Sequence, residues 1–471
     1  MYRDIVNKIA DGTLRNGDLL PSMRDLSTRY HVGLRTVRDV LNALKDDGYI
    51  ITEERKRAVV CAREDECGEI EEGIRSLLAR KEDVLESLET LELIMPPLFF
   101  DAVRYCSDPE IEQICRLVGG VDLEVREGDW KISRSSQALH KLLKKTGNPL
   151  SSECYASLER MCLVPVYPGF ESPYESAAAA APEGGLPKRF ESLKSRDPEE
   201  IKQRFGSLYG IMAEYMSVYF DALEAACPFD GERDQAYSWN AKTGKDYAYV
   251  HVARDIVSRI AAGEYDDGDS LPSISGLSEA YGISLSSVQK TLALLNEMGV
   301  VQTVNGRGSQ VRLSNVHFDL NALSNEIFMR DVDVFVNALR MLCIILPAVL
   351  DSVTDRMEVI ERCAEGYLAA DSAEWAIPRV LMKSIIDAIP LRPLQVVVSE
   401  LNELLVWGHF FVFFGPTGEG SRTLAAIGER ASEYLHRNDA GEFADAIVDY
   451  YRTMLVAVQD FLSSVRQIGR Q

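Results

Sequence analysis

Hydrophobic spacing near the start of the chain predicts three short helices in a row. Ile5 and Ile9 lie four residues apart, on one face of a first helix. Ser22 is a typical N-cap, and it predicts a second helix that ends near Tyr30. A third helix begins near Gly33, and its apolar positions follow the 3, 4, 7 spacing of a buried face. These apolar positions are Val37, Val40, Leu41 and Leu44.

A hairpin is predicted directly after the third helix, because polar and apolar residues alternate from Tyr49 to Val60. Three helices followed by a hairpin is the order of a winged helix-turn-helix domain, in which the third helix is the recognition helix. The face of this helix opposite its apolar side carries Arg35, Thr36, Arg38, Asp39 and Asn42.

The same pattern occurs a second time, because residues 3–60 align without a gap onto residues 254–311 at a constant offset of 251. Leu20-Pro21-Ser22, for example, recurs as Leu271-Pro272-Ser273. The match continues beyond the hairpins, where Pro96 corresponds to Pro347 at the same offset. Further along, Asp197 and Tyr209 match Asp439 and Tyr451 at an offset of 242. The sequence therefore predicts a tandem duplication of the whole unit.

The segment after each copy shows helical periodicity, with no strand-rich stretch. The predicted fold class is mainly α: two winged helix-turn-helix domains, each followed by an antiparallel all-helical bundle domain. The predicted domains are residues 1–63 and 247–314 for the winged helices and 68–227 and 315–471 for the helical parts, with 228–246 as the linker. The Pro/Gly/Ala-rich stretch 167–186 is predicted to be a loop.

The composition of the 471 residues, with 46% hydrophobic and 26% charged, is typical of globular proteins and excludes general disorder. The longest apolar runs are shorter than the roughly 18–20 residues of a membrane span, so no transmembrane segment is expected. The first residues do not resemble a secretory signal. Nine cysteines without a Cys-x-x-Cys pair indicate a reducing compartment. We therefore expect a cytoplasmic protein.

The net charge of -22 argues at first against a nucleic-acid partner, but it is unevenly distributed. Residues 1–63 contain 12 Lys and Arg against 9 Asp and Glu, a balance of +3. Residues 251–314 contain 5 basic against 7 acidic residues, a balance of -2. The acidic excess therefore lies in the helical parts and the linker, and the first winged helix is mildly basic.

The two repeated segments resemble the DNA-binding domain of the GntR family of bacterial transcription regulators. The resemblance rests on the Gly-Asp-x-Leu-Pro-Ser turns that begin at Gly17 and Gly268, and on Thr36-Val37-Arg38 in the first recognition helix. It also rests on the Gly-x-Gly wing that begins at Gly306. The first copy lacks the wing glycines, and the second has Ser287-Val288-Gln289 in place of Thr-Val-Arg.

This resemblance implies that the chain binds double-stranded operator DNA. Arg35 and Arg38 are expected to read bases, because arginine matches the two acceptors on a guanine edge. Five other polar residues of the first copy are expected mainly to hold phosphates: Ser22, Arg24, Thr36, Lys56 and Arg57. In the second copy, the residues expected to bind DNA are Ser273, Ser286, Ser287, Gln289, Lys290 and the wing cation Arg307.

Residues 133–150 of the first helical part resemble the central helix of the FadR-type, or FCD, effector domain. The resemblance implies a bundle with a cavity for a small-molecule effector of unknown identity, and His140 is a candidate ligand contact. The alternative interpretation is that the ring of His140 forms its hydrogen bonds with other protein groups and contacts no ligand. That family often binds a metal through one Asp and three His, but Ser136 stands where the family has Asp. No metal and no cofactor are expected.

The resemblance as a whole implies a ligand-responsive transcription regulator, either a repressor or an activator. Two winged helices in one chain would form a covalent pseudo-dimer on an imperfect inverted repeat, and further association into a homodimer stays open. No enzymatic activity is expected, because the second winged helix occupies the space that an aminotransferase-like domain would need. The alternatives are a protein-interaction scaffold with degenerate winged helices and, less favoured, an enzyme fused to a winged helix.

Overall fold

The structure, a computed structural model, describes most of the chain. The described residues are 1–2, 5, 9, 14, 17–30, 32–46, 49–52, 56–61, 66–118, 134–181, 185–229, 231, 237–241, 248–261, 264–304, 308–312, 326–370, 377–405 and 418–468. They form two compact units. The first unit comprises Met1–Thr146 and Tyr155–Tyr237, and the second comprises Gly147–Cys154 and Ser238–Gln471.

The first unit begins with the predicted winged helix-turn-helix elements. Helix α1 covers Met23–Tyr30, helix α2 covers Leu34–Asp46, and strands β1 (Ile50–Ile51) and β2 (Val59–Val60) pair antiparallel. The predicted second helix is therefore confirmed at both ends, and the predicted start of the third helix is confirmed to within one residue. The core of this domain consists of apolar side chains that are buried, among them Ile5, Leu14, Leu20, Leu44, Ile50 and Val60.

Helices make up the rest of the first unit. They are α3 (Glu66–Leu78), α4 (Lys81–Val103), α5 (Asp108–Val118), α6 (Arg134–Leu143), α7 (Pro149–Cys162), α8 (Pro173–Ala179), α9 (Gly185–Glu191) and α10 (Pro198–Ala226). The beginning of α7, up to Cys154, belongs to the second unit. The long helices α4 and α10 pack against each other, and α5 packs against α6. Phe205 of α10 lies between Phe99 and Phe190, with ring centroids 5.2 and 5.4 Å away, so aromatic rings fill the centre of this part.

The prediction of a loop over residues 167–186 was wrong for residues 173–179, where α8 forms, and for residues 185–186, where α9 begins. Ser172 caps α8 by accepting a 3.4 Å hydrogen bond from the backbone N–H of Glu175. Pro173 occupies the first helical turn, where a missing N–H costs nothing. Because alanine has the highest helix propensity, the alanine run continues the helix that this cap and this proline begin.

The second unit contains the second winged helix-turn-helix. Its helices are α11 (Ala248–Ala261), α12 (Ile274–Tyr281) and α13 (Leu285–Glu297). Strands β3 (Val301–Val304) and β4 (Gly308–Val311) form its antiparallel hairpin, in which Val301 pairs with Val311. This is the same register as the pairing of Ile50 with Val60, shifted by 251 residues.

The second helical part follows, with α14 (Glu326–Asp351), α15 (Met357–Ala370), α16 (Ile377–Ala388), α17 (Arg392–Glu403), α18 (Gly418–His436) and α19 (Ala440–Ile468). Helix α19 packs against α14 and α18, and α15 packs against α16. Within α14, residues 329–351 have a mean hydropathy of 1.9 and are long and apolar enough to cross a membrane. The most apolar window is 56% buried inside the protein, as a core helix of a globular domain also is.

The predicted linker, residues 228–246, is described only in part. Tyr237 is buried in the first unit, where its backbone N–H donates a 3.0 Å hydrogen bond to Asp83. Ala241 is buried in the second unit and its N–H donates to Glu400 at 3.1 Å. These residues are therefore packed and hydrogen-bonded, not solvated. The mainly helical fold class is confirmed.

Candidate nucleic-acid interface

The turn that precedes each short helix is joined to the wing by backbone hydrogen bonds and an isolated antiparallel β-bridge. Gly17 has a φ of 92° and donates a 2.9 Å backbone hydrogen bond to Val60. Leu20 donates in the same way to Ala58, also at 2.9 Å. A positive φ is readily adopted only by glycine, which accounts for the Gly-Asp pair at this turn. The wing and the start of α1 are therefore held in one rigid frame.

Ser22 and Ser273 cap the helices that follow these turns, but they use their hydroxyls differently. The Ser22 hydroxyl donates to the Asp25 carboxylate at 2.5 Å and accepts from the Asp25 backbone N–H at 3.2 Å. The Ser273 hydroxyl accepts from the N–H of Gly276 at 3.1 Å. Gly276, unlike Asp25, has no carboxylate that could accept a hydrogen bond from the serine hydroxyl. Both serines were predicted DNA contacts, and the Ser273 hydroxyl is better placed to donate a hydrogen bond to DNA.

Helix α2 presents a polar face to solvent. Val37 and Leu44 are fully buried and hold the helix against the domain core. Arg35, Thr36 and Arg38 are exposed, as the sequence predicts for a reading face. Arg24, in the first turn of α1, is exposed as well.

Helix α13 presents a different surface. Ser284 is its N-cap, and the Ser284 hydroxyl lies 2.9 Å from the hydroxyls of both Ser286 and Ser287. The hydroxyls of these two predicted DNA contacts therefore already hydrogen-bond to the N-cap of their own helix. Gln289 and Lys290 are exposed, and the Lys290 ammonium lies 5.9 Å from the centre of the Tyr249 ring. The cap and the aromatic neighbour were not among the predicted site residues, although Ser284 directly before the helix was a usable N-cap signal.

The two wings differ in how they connect to the domain. In the first copy, Arg57 Nε donates a 2.7 Å hydrogen bond to the carbonyl oxygen of Leu20, so part of this predicted phosphate contact is used within the domain. Lys56, beside it, is exposed. Arg307, the predicted wing cation of the second copy, lies outside the described residues.

A polar cluster joins the first two helices of the second winged helix. The Tyr281 hydroxyl donates to Asp255, and Arg259 donates to both Tyr281 and Glu264, at 3.3 and 2.6 Å. Burial, followed by the hydrogen bond to Asp255, raises the pKa of Tyr281 to about 12. The tyrosine therefore stays protonated and keeps α12 attached to α11 at physiological pH.

His140, the effector-contact candidate, has protein partners in the first helical part. Its Nε2 lies 3.1 Å from Glu159, and its ring centre lies 4.8 Å from that of Tyr155. The Tyr155 hydroxyl donates to the other oxygen of Glu159 at 3.0 Å, and burial holds the pKa of Tyr155 well above its usual value. Among the described residues, no group of three or more His, Cys, Asp or Glu side chains could hold a metal ion.

Comparison with known proteins gives matches on the winged helices. Residues 1–60 and 248–311 match the family described as "Bacterial regulatory proteins, gntR family". Over 77 residues the chain is 32% identical to the mannosyl-D-glycerate transport/metabolism system repressor MngR of Escherichia coli (strain K12), a match that covers 16% of this chain and 32% of the repressor. Over 87 residues it is 31% identical to the HTH-type transcriptional regulator YydK of Bacillus subtilis (strain 168), covering 18% and 37%.

The similarity to solved structures is weaker. The E. coli protein McbR/YncC aligns over 47% of this chain and 99% of its own, with 14% identity and a TM-score of 0.23. A score of this size carries no conclusion about the fold of the whole chain. The chain spans about a third of the length of the curated relatives it matches. The similarity to the gntR family of bacterial regulatory proteins therefore lies in the two winged-helix segments of this chain, residues 1–60 and 248–311.

Proposed function

We propose that this protein is a transcription regulator that binds double-stranded DNA with both of its winged helices. The observation that carries the proposal is the exposed face of α2, where Arg35, Thr36 and Arg38 lie on the solvent side of a helix anchored by the buried Val37. In a helix-turn-helix protein the corresponding face enters the major groove. Arginine there would bind guanine through two hydrogen bonds. The mildly basic balance of residues 1–63 favours the approach of phosphate.

We further propose that the chain is a tandem duplication, so that one chain carries what a homodimer of single winged helices would. Hydrogen bonds that recur at an offset of 251 support this. Gly17 to Val60 and Gly268 to Val311 are both 2.9 Å. The side-chain bonds from Ser27 to Val32 and from Ser278 to Ile283 are 2.7 and 2.6 Å.

Recurrence in the helical parts supports the same proposal. Arg196 and Asn438 both have a φ of 55°, which is uncommon for residues other than glycine, and they lie 242 residues apart. Each of them is followed by a helix of 29 residues, α10 or α19. The repeat thus extends from the winged helices to the last helix. The domain boundaries proposed with it are residues 1–63, 68–227, 247–314 and 315–471.

The two recognition helices would read different sequences. Arg38 and Gln289 occupy corresponding positions, and arginine favours guanine whereas glutamine favours adenine. The operator would therefore be an imperfect inverted repeat, with the stronger half-site bound by the first copy. A small-molecule effector would bind within the helical parts, where His140 and Glu159 are a candidate polar contact. The protein would act in the cytoplasm and would catalyse no reaction. Two chains would also be able to associate into a homodimer.

In vitro selection from a random DNA duplex pool tests the function. The full chain should enrich an imperfect inverted repeat. The variant Arg38→Ala should bind the selected duplex about 5- to 150-fold more weakly, since a bidentate base contact provides about 1–3 kcal/mol of discrimination.

Lys45→Ala is the matched control, because Lys45 is an exposed cation in the last turn of the same helix. It should weaken binding only slightly and equally for all sequences, as expected for loss of a distant charge. No enrichment and no binding even at low salt would contradict the proposal. That result would favour the scaffold function, because nonspecific DNA affinity is strongest at low salt.

A further inference from the structure

Each recognition helix begins with a leucine that is about half exposed. Leu34 is the first residue of α2 and is 47% exposed, and Leu285 is the first residue of α13 and is 53% exposed. The two positions correspond to each other at the offset of 251. Large apolar side chains exposed to this degree are few among the described residues, and these two occupy the same place in both copies.

The positions next to this leucine differ between the two copies, although the leucine itself is the same in both. Arg35 corresponds to Ser286 and Arg38 corresponds to Gln289. The helix start differs as well, with Gly33 before Leu34 and the capping Ser284 before Leu285. The base-reading groups of the two helices have therefore diverged while the apolar residue is the same in both.

The position on the helix indicates what the leucine contacts. The N-terminal residues of a recognition helix are those that reach base edges in the major groove. Leu34 lies one turn before Arg38, and Leu285 lies one turn before Gln289, so each leucine shares a helix face with a candidate base reader. On that edge the apolar group available in DNA is the C5 methyl of thymine, and apolar side chains distinguish thymine by contact with it.

We propose that Leu34 and Leu285 are specificity-determining residues that each contact the methyl group of a thymine in its own half-site. This inference rests on the proposed function and adds one recognised base, a thymine, to each half-site. Each half-site then contains a thymine next to the base read one helical turn later, guanine for the first copy and adenine for the second. The thymine is common to both half-sites, and the neighbouring base distinguishes them.

Replacement of single thymines by deoxyuridine in the selected duplex tests this, because deoxyuridine lacks only the C5 methyl. With the wild-type chain, one position in each half-site should bind about fourfold more weakly after replacement, which corresponds to one methyl group buried from water. Leu34→Ala should lose this sensitivity in the first half-site and keep it in the second. Leu285→Ala should show the opposite. Leu34→Met, which keeps an apolar side chain, should retain the sensitivity.

Both leucines are half exposed, so their alanine variants should fold, and an unchanged thermal unfolding midpoint verifies this. If the duplex is selected normally but deoxyuridine has no effect, or the same effect in wild type and Leu34→Ala, the leucine inference is wrong and DNA binding stands. If no duplex is selected at all, the proposed function fails and the inference fails with it.

Discussion

Arg57 of the first wing and Leu20 of the turn before α1 are joined by a hydrogen bond of 2.7 Å, from the guanidinium Nε to the carbonyl oxygen. The corresponding residue of the second copy is Gly308, with a φ of 83°. At the same position of the hairpin, the first wing therefore has a side chain that hydrogen-bonds to the preceding turn, and the second wing has a glycine with a positive φ.

Replacement of Arg57 separates its structural role from its proposed contact with phosphate. Arg57→Ala should lower the free energy of unfolding of the first winged helix by about 1 kcal/mol, the usual net value of a hydrogen bond at a partly exposed site. Chemical denaturation measures this. The same variant should reduce the salt dependence of DNA binding by about one phosphate contact if the remaining nitrogens reach the DNA. An unchanged salt dependence would leave Arg57 with the structural role alone.

The pH dependence of stability should show the contribution of Glu110 in the first helical part. Its carboxylate accepts hydrogen bonds from the Lys145 ammonium and from the backbone N–H and hydroxyl of Ser107, each of the latter at 2.8 Å. The bond to Lys145, followed by those to Ser107, lowers the pKa of Glu110 to about 2. Because the pKa of Glu110 is lower in the folded than in the unfolded state, the ionised carboxylate stabilises the fold at pH values above the usual carboxyl pKa. This stabilisation is lost as the pH falls towards 2.

Glu110→Gln should therefore be less stable than wild type at pH 7. The difference in unfolding free energy should narrow only below about pH 4.5, as the unfolded-state and then the folded-state carboxyl become protonated. Urea unfolding of both proteins from pH 7 to pH 3 measures it. Glu112→Gln on the same helix is the control, since Glu112 is an exposed carboxylate 3.7 Å from Arg116. A gap between wild type and Glu110→Gln that does not change with pH would contradict the assigned cause.

The outer face of the first wing carries apolar residues that the second wing replaces with polar ones. Leu19 and Ile51 are 52% and 53% exposed, and both lie next to Val59 across the small sheet. The corresponding residues of the second copy are Ser270 and Gln302.

The double variant Leu19→Ser and Ile51→Gln should change the unfolding free energy by no more than about 0.5 kcal/mol per site, as is usual for exposed positions. Leu20→Ala, which removes a fully buried side chain beside Leu19, should cost about 2–5 kcal/mol. Thermal or urea unfolding distinguishes the two. A large loss from the exposed pair would mean that these side chains are covered in the folded protein.

The half-sites should respond separately to changes in the two recognition helices. Gln289→Ala should weaken the second half-site and leave protection of the first unchanged, and Arg38→Ala should do the reverse. Because hydrogen bonds from a charged guanidinium are stronger than those from a neutral amide, the loss from Gln289→Ala should be the smaller one. Titration of DNA with each half-site in isolation measures both. Equal losses would mean that the two copies are equivalent readers.

Periodicity predicted the elements that build the winged helices, because buried Val37 and Leu44 and the cap Ser22 are local signals for α2 and α1. It missed α8, since an alanine run offers no apolar periodicity and the cap at Ser172 is the local sign of a helix. The bond from Arg57 to Leu20 spans 37 residues, and the pairing of His140 with Glu159 joins two helices. Neither is visible in a local pattern.

A hydroxyl-radical footprint of the full chain on the DNA upstream of its own gene, compared with those of Arg38→Ala and Gln289→Ala, tests DNA binding through both winged helices. We expect two protected tracts of unequal strength in an imperfect inverted repeat, each lost with its own variant. A single protected tract, or no protection at low salt, would contradict a regulator that binds DNA through both winged helices.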